Sequence, residues 1–402
     1  MKNSTILNAL YFLLFFISPL ALAEPDPWYA NNPSCVIDRG NPGRTGEYLA
    51  EPLEKNPVNI WGDAFNSTGI AGNPMACTKD FIISFGPTVA YKNQTKKLWW
   101  GAFDSNFAVY KDFIYVLSRG RTISVKDFVK YQILDGKKET IVKNATTDDS
   151  EGDPLIYNNV AYFGGKSLTA VDLNTKKQLW KFDVTEPTRP GPSATVCSLS
   201  TDGERIFFSD WGFNIFAVEM KTGKLLWSKD GFGLGRSYAA VMNGNLYLGQ
   251  TKEHKKYEYT TEVFKIDAVT GKTVWHTPMN SRSFSSLSLA VSTEVVIVSC
   301  IDKVVGLDTK TGEILWSIFA RRPTAPVLVK NIAYFVEHSR SYGDDYKATA
   351  VNKFTGKKLW SFDLPESNTE YGIMPDNKKV YISGAGSTTT VLEQQESLPK
   401  SQ

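Results

Sequence analysis

The stretch that decides the fold runs Ala217-Val-Glu-Met-Lys-Thr-Gly-Lys-Leu-Leu-Trp227. It recurs as Ala170-Val-Asp-Leu-Asn-Thr-Lys-Lys-Gln-Leu-Trp180 and as Lys265-Ile-Asp-Ala-Val-Thr-Gly-Lys-Thr-Val-Trp275. Two later copies are Gly306-Leu-Asp-Thr-Lys-Thr-Gly-Glu-Ile-Leu-Trp316 and Ala350-Val-Asn-Lys-Phe-Thr-Gly-Lys-Lys-Leu-Trp360. An early one is Ala90-Tyr-Lys-Asn-Gln-Thr-Lys-Lys-Leu-Trp-Trp100. Each copy reads as a strand, a tight turn and a second strand: the Asp or Asn bonds back onto the turn and the Gly supplies positive φ. A further hairpin precedes it, as in Tyr238 to Met242 and Leu246 to Gly249 around Asn243-Gly244, a dipeptide whose residues both tolerate positive φ.

The closing tryptophans define a register. The step from Trp100 to Trp180 is double the usual one, and Tyr131 to Thr140 fits as a degenerate copy with Thr140 in the tryptophan slot. The period is that of a four-stranded propeller blade. A lone blade cannot cover an indole that buries about 150–250 Å², so blades must stack and close. After Trp360 the chain supplies three strands (Tyr371 to Met374, Val380 to Ser383, Thr389 to Glu393) and no fourth. Near the other end, Val58-Asn-Ile-Trp61 looks like a fourth strand without a third. The expected fold is an all-β, eight-bladed β-propeller of four-stranded antiparallel blades, its N-terminal strand closing the C-terminal blade and removing open edges. Seven blades is the alternative if residues 53 to 63 lie outside.

The chain has 402 residues, 45 basic and 42 acidic side chains, and 13% aromatic residues. Intrinsic disorder is excluded by that composition. The net charge of +3 is too small for an electrostatic nucleic-acid binder. Lys2, an apolar run from Ile6 to Leu20, and Ala21-Leu22-Ala23 read as a signal peptide over 1–23, cleaved before Glu24. The expected organisation is then an N-terminal extension over 24–52, the propeller over 53–396 and a tail over 397–402. No later run is long enough to span a bilayer, and no cysteine stands at the cleavage point for lipidation. Export to the periplasm or beyond is expected, as a monomer. Of the four cysteines, Cys35 and Cys77 could form a disulfide stapling the extension. Cys197 and Cys300 lie in apolar strand patterns, where buried free thiols are the simpler reading.

The Ala-x-Asp-x-x-Thr-Gly-x-x-Leu-Trp pattern resembles the tryptophan-docking repeat of pyrroloquinoline-quinone (PQQ)-type propellers. The resemblance covers roughly residues 53 to 396, and Asp38-Arg-Gly-Asn-Pro-Gly-Arg-Thr-Gly46 is similar to the entry segment of exported members. It implies the propeller fold and one of two functions. One branch holds quinoprotein dehydrogenases, which bind PQQ with calcium over the ring centre; the other holds cofactor-free scaffolds of the BamB type. The chain lacks the adjacent cysteine pair of the alcohol dehydrogenases and has little room for their insertions. It also lacks the lipidation cysteine of BamB. The cofactor-free branch is favoured: a non-catalytic scaffold for an envelope or secreted protein partner or a small acidic ligand. The alternative is a PQQ- and calcium-dependent dehydrogenase acting on alcohols or sugars.

Trp61, Trp100, Trp180, Trp227, Trp275, Trp316 and Trp360 are assigned to blade docking, because a repeated spacing demands a repeated structural role. Trp211, in Ser209-Asp-Trp-Gly212, is a candidate exposed recognition aromatic or a turn-packing residue. Arg189, Arg236, Arg282, Arg321 and Arg322 lie on segments joining one blade's outer strand to the next blade's inner strand. Converging, they would form a cationic channel mouth suited to carboxylates. Asp148, Asp149, Glu151 and Asp153 read as a solvated acidic run. No metal site is expected, since no His or Cys pair has ligand spacing. No catalytic motif appears.

Overall fold

The computed structural model describes residues 26–31, 41–55, 57–59, 75–84, 88–92, 97–100, 107–119, 125–146, 152–184, 196–210, 214–230, 232, 239–255, 258–281, 287–338, 346–364, 371–384 and 390–394. These hold eight four-stranded antiparallel sheets. Blades 1 to 7 are each built from four consecutive strands. Their inner strands are Met75–Cys77, Phe107–Tyr110, Leu155–Tyr157, Val196–Thr201, Ala240–Met242, Ser288–Val291 and Val327–Val329. Blade 8 takes Tyr371–Asp376, Lys379–Gly384 and Thr390–Gln394 from the C-terminal part of the chain and Pro57–Asn59 as its outer strand, with Val58 opposite Glu393. Inner strands of neighbouring blades pack side by side, and that of blade 8 lies against that of blade 1. The eight-bladed ring closed by an N-terminal strand is therefore the fold.

Burial falls from centre to rim, and the sequence pattern follows it. In blade 4 the inner strand Val196–Thr201 is wholly buried, while the outer strand Leu225–Asp230 alternates between exposed and half-buried positions. Inner strands are covered on both faces and read as continuous apolar or small-residue runs; outer strands bury one face and alternate. The sheets stack through aromatic contacts such as Phe128 on Phe163, with centroids 4.8 Å apart between blades 2 and 3.

The docking device is visible atom by atom at Trp227. Its indole Nε1 donates to the carbonyl of Ala268 in the next blade's turn at 3.0 Å. In that turn Asp267 Oδ1 accepts from the Thr270 hydroxyl and amide, both at 2.7 Å, and these bonds hold its carboxyl below the usual range. Gly271 is required twice over. Its φ is +68°, and a Cβ there would come within 2.8 Å of the Trp227 ring. Trp180, Trp275 and Trp316 repeat the arrangement, bonding to the carbonyls of Met220, Thr309 and Lys353 and lying against Gly223, Gly312 and Gly356. Trp360 bonds to Leu53, from the N-terminal segment beside the closing strand.

Blade 1 departs from the expected register. The docking residue there is Trp99 and not Trp100: Trp99 Nε1 donates to Ile133 at 2.6 Å and its ring lies against Gly136. The tandem Leu98-Trp99-Trp100 allows two alignments. Matching threonines selects Trp100, whereas the pairing of Val89 with Trp99 across the bulge selects Trp99. In the other motif blades the tryptophan likewise stands just past the bulge, as where Ala217 pairs with Trp227 and Val218 with Leu225. Trp61 lies outside the described residues. In blade 2 Thr140 does not take the tryptophan position: it pairs with Val129, and Glu139, opposite Lys130, stands where Trp227 stands opposite Ala217, because the bulge of this hairpin falls further along the strand.

Candidate functional site

The antiparallel topology sorts the connections onto two faces. Turns between inner and second strands lie on one face. Segments from an outer strand to the next inner strand lie on the other, together with the links from second to third strands.

The first face is crossed by the N-terminal segment, which visits the inner strands in chain order. Pro42 accepts from the Thr201 amide of blade 4, Gly43 from Val241 of blade 5, Thr45 from Val291 of blade 6 and Gly46 from Leu328 of blade 7. Glu51 then accepts from Lys378 in the blade 8 turn. Gly43 has to be glycine, since a Cβ would sit 2.5 Å from the Val241 carbonyl. Residues 41–55 thus form a strap that ties five blades together by main-chain hydrogen bonds.

From this strap Arg44 enters between blades 3 and 4. Its Nε donates to the Leu199 carbonyl at 3.2 Å and its Nη1 meets Asp153 Oδ2 at 3.0 Å, with both side chains fully buried. Ser198, beside Leu199, has φ +58°, and the pairing slips between Cys197 and Ser200. This irregularity lies where the main chain receives the guanidinium. Asp153 is therefore no part of a solvated acidic run: its carboxylate is an internal counter-charge. The other three acids of that run lie outside the described residues. Arg39 and Arg44 in the glycine-rich Asp38–Gly46 segment were the available signal, and spacing alone does not tell a buried arginine from a surface one.

Of the arginines assigned to the opposite face, Arg321 and Arg322 are described. They lie on the link from Ile314–Phe319 to Val327–Val329, which is pinned by Arg322 donating its amide to Ile301 and Arg321 accepting from His338. Arg321 is half-buried, with its guanidinium carbon 5.8 Å from the centroid of Phe319, itself 74% exposed. Among the described residues neither guanidinium is paired with a carboxylate. Arg189, Arg236, Arg282 and Trp211 lie outside the described residues.

Cys77 is buried and disulfide-bonded, and Cys35 lies outside the described residues. Cys197 and Cys300 are buried free thiols. Burial pushes the Cys300 thiol up to about 11. A groove of about 670 Å³ beside the short helix Pro27–Asn31 is lined by Trp28, Phe81, Ile133, Leu134 and the dipeptides Lys79-Asp80 and Lys111-Asp112.

A calcium–quinone pair needs several oxygen ligands converging on one point. Among the described residues no three His, Cys, Asp or Glu side chains converge in this way. The carboxylate set between blades 3 and 4, Asp153, is held by Arg44. The described residues do not fit such a group. No described helix is long and apolar enough to cross a membrane.

Comparison with known proteins places the chain. Tetrathionate hydrolase of Acidithiobacillus ferrooxidans is 24% identical over 231 residues, covering 52% of this chain and 42% of that protein. The chain thus spans less than half the length of that curated relative. BamB of Moraxella catarrhalis superposes with a TM-score of 0.56 at 15% identity, over 85% of this chain and 99% of the other. Quinohemoprotein alcohol dehydrogenase of Comamonas testosteroni gives 0.64 at 11% identity, over 92% and 82%. At these identities the two structures are alike in fold alone. The model of the family described as outer membrane protein assembly factor BamB matches residues 86–233 and again 229–373, more than half of the sequence, and the chain belongs to that family of PQQ-repeat propellers.

Proposed function

We propose that this chain is an exported, non-catalytic propeller that binds a protein partner or a small acidic ligand on the face opposite the strap. One observation carries the reading: the 41–55 strap, with Arg44 driven between blades 3 and 4, covers the inner-strand ends of five blades on one side. A ligand seeking the ring centre then approaches from the other side, where Arg321, Arg322 and the exposed ring of Phe319 stand. A guanidinium stacked on an aromatic ring keeps its outward N–H groups for a carboxylate. Export rests on the leader-like first 23 residues, and the disulfide-bonded Cys77 agrees with an oxidising compartment.

The test is a pull-down from envelope extract with the mature protein and with Arg321→Glu/Arg322→Glu. Recovery of a partner by the first and its loss with the second supports the reading, provided the variant melts like the parent. Unchanged recovery removes these arginines from the site. The dehydrogenase alternative is carried by the structural likeness to the Comamonas enzyme. Purified protein mixed with PQQ and calcium and assayed for thermal shift and dye reduction decides it: a saturable stabilisation with turnover on alcohols or sugars overturns the scaffold proposal.

A further inference from the structure

Among the described seams between blades, one lacks the indole device. At the blade 2–3 seam the position that faces the next blade's turn holds Glu139, opposite Lys130, while Thr140 pairs with Val129; that turn carries Lys176, at φ +59°, where the turns of blades 2, 4, 5, 6 and 7 carry Gly136, Gly223, Gly271, Gly312 and Gly356. The two departures belong together. Without an indole lying over the turn, a Cβ meets no ring, and of the two demands for glycine only the positive φ remains. In its place the rim of this seam has an ion-pair chain. Lys176 Nζ is 2.5 Å from Glu139 Oε1, and Lys130 Nζ is 3.0 Å from Glu139 Oε2. Lys176 and Glu139 are substantially exposed, and exposed pairs contribute little and are screened by salt.

The inner end of the same seam carries something the other described seams do not. The helix Pro27–Asn31 lays Trp28 against Tyr110 of blade 2, centroids 4.8 Å apart, and stacks Tyr29 on Tyr157 of blade 3 at 6.2 Å. The Tyr29 hydroxyl donates to the Ile156 carbonyl at 2.6 Å. Asp26 joins in from just ahead of the helix: its amide donates to the Tyr157 hydroxyl at 3.1 Å and its Oδ2 accepts from the Asn158 amide at 2.6 Å. One short segment thus grips both blades, packing two half-buried aromatic rings where the rim has none.

We propose that Asp26 and the Pro27–Asn31 helix form a clasp that replaces the missing indole, and that the blade 2–3 seam is where the ring opens when the clasp is released. The clasp lies before the strap in the chain and on the same face, so it is the part of the N-terminal segment that can detach while residues 41–55 stay bound.

The test is hydrogen exchange read by mass spectrometry on full-length mature protein, wild type against Trp28→Ala/Tyr29→Ala. Exchange at Phe107–Tyr110 and Leu155–Tyr157 should accelerate at least tenfold, and rise further in 1 M salt as the Lys176–Glu139 pair is screened. Ser288–Val291 and Val327–Val329 should stay as protected as in wild type. Asp26→Ala, which leaves both rings in place, should give the same pattern more weakly, and serves if the double variant does not fold. Installing Glu139→Trp with Lys176→Gly in the clasp variant should restore protection at the seam. Acceleration spread evenly round the ring, or none at the seam, overturns the proposal.

Discussion

Replacing Arg44 with alanine removes one half of an ion pair that no solvent reaches. Both side chains have zero exposure, so no discount for screening applies. The change leaves the Asp153 carboxylate without its 3.0 Å partner and the Leu199 carbonyl without its donor. Breaking a buried pair from one side costs about 3–5 kcal/mol, and we expect a loss of about 4 kcal/mol in urea unfolding at pH 7. Replacing both partners with apolar residues of similar volume, Arg44→Met with Asp153→Leu, should return stability to within about 1 kcal/mol of wild type, since neither charge is then stranded. Hydrogen exchange gives an independent reading. With Arg44 gone the strap loosens, and the Thr201 and Val241 amides, which donate to Pro42 and Gly43, should exchange faster. A single-variant loss below about 1 kcal/mol with those amides still protected would refute the claim that Arg44 anchors the strap.

Three further outcomes follow from the geometry. Trp227 is half-buried, so Trp227→Ala should cost about 2–4 kcal/mol, somewhat below a full core truncation, and leave pull-down of a loop-face partner unchanged. Gly271→Ala should destabilise by about 1–3 kcal/mol more than Gly244→Ala in thermal or urea unfolding. Both glycines have φ near +70°, but only the first faces an indole, and nothing lies within 4 Å of the second; equal losses would show that the ring contact contributes nothing. Cys300, held near 11 by burial, should resist alkylation at pH 8 until the protein unfolds. Its folded pKa lies above the unfolded value, so the stability it contributes is complete below about pH 9 and falls as pH rises toward 11, and Cys300→Ala should flatten that part of the pH profile.

The ring was legible because its signal is repeated. Each Asp-x-x-Thr-Gly turn with its tryptophan states the same local geometry, so one reading fixes most of the blades, and the incomplete last blade points to Pro57–Asn59. The slip at Trp99 shows the limit of spacing: two adjacent indoles fit the motif, and only the position of the bulge chooses between them. The strap was not legible. Pro42, Gly43, Thr45 and Gly46 act through main-chain carbonyls, which leave no side-chain pattern to read. Arg44 and Asp153 are far apart in sequence and carry no spacing that pairs them; the same acidic run looks solvated until burial is known. Counting from the Asp135-Gly136 turn selects Thr140 for the tryptophan slot, whereas the pairing puts Glu139 there, against Lys176; the displaced bulge that decides it leaves no mark in the spacing.

Strand Pro57–Asn59 closes the ring against Thr390–Gln394. Val58 and Glu393 are direct cross-strand partners, a separation that a disulfide can bridge with a small shift. The double variant Val58→Cys/Glu393→Cys should form that bond spontaneously under mild oxidation, detected as a linked N- and C-terminal peptide pair after digestion, and should raise the melting temperature. Two thiols that stay free in the folded protein would contradict the closure.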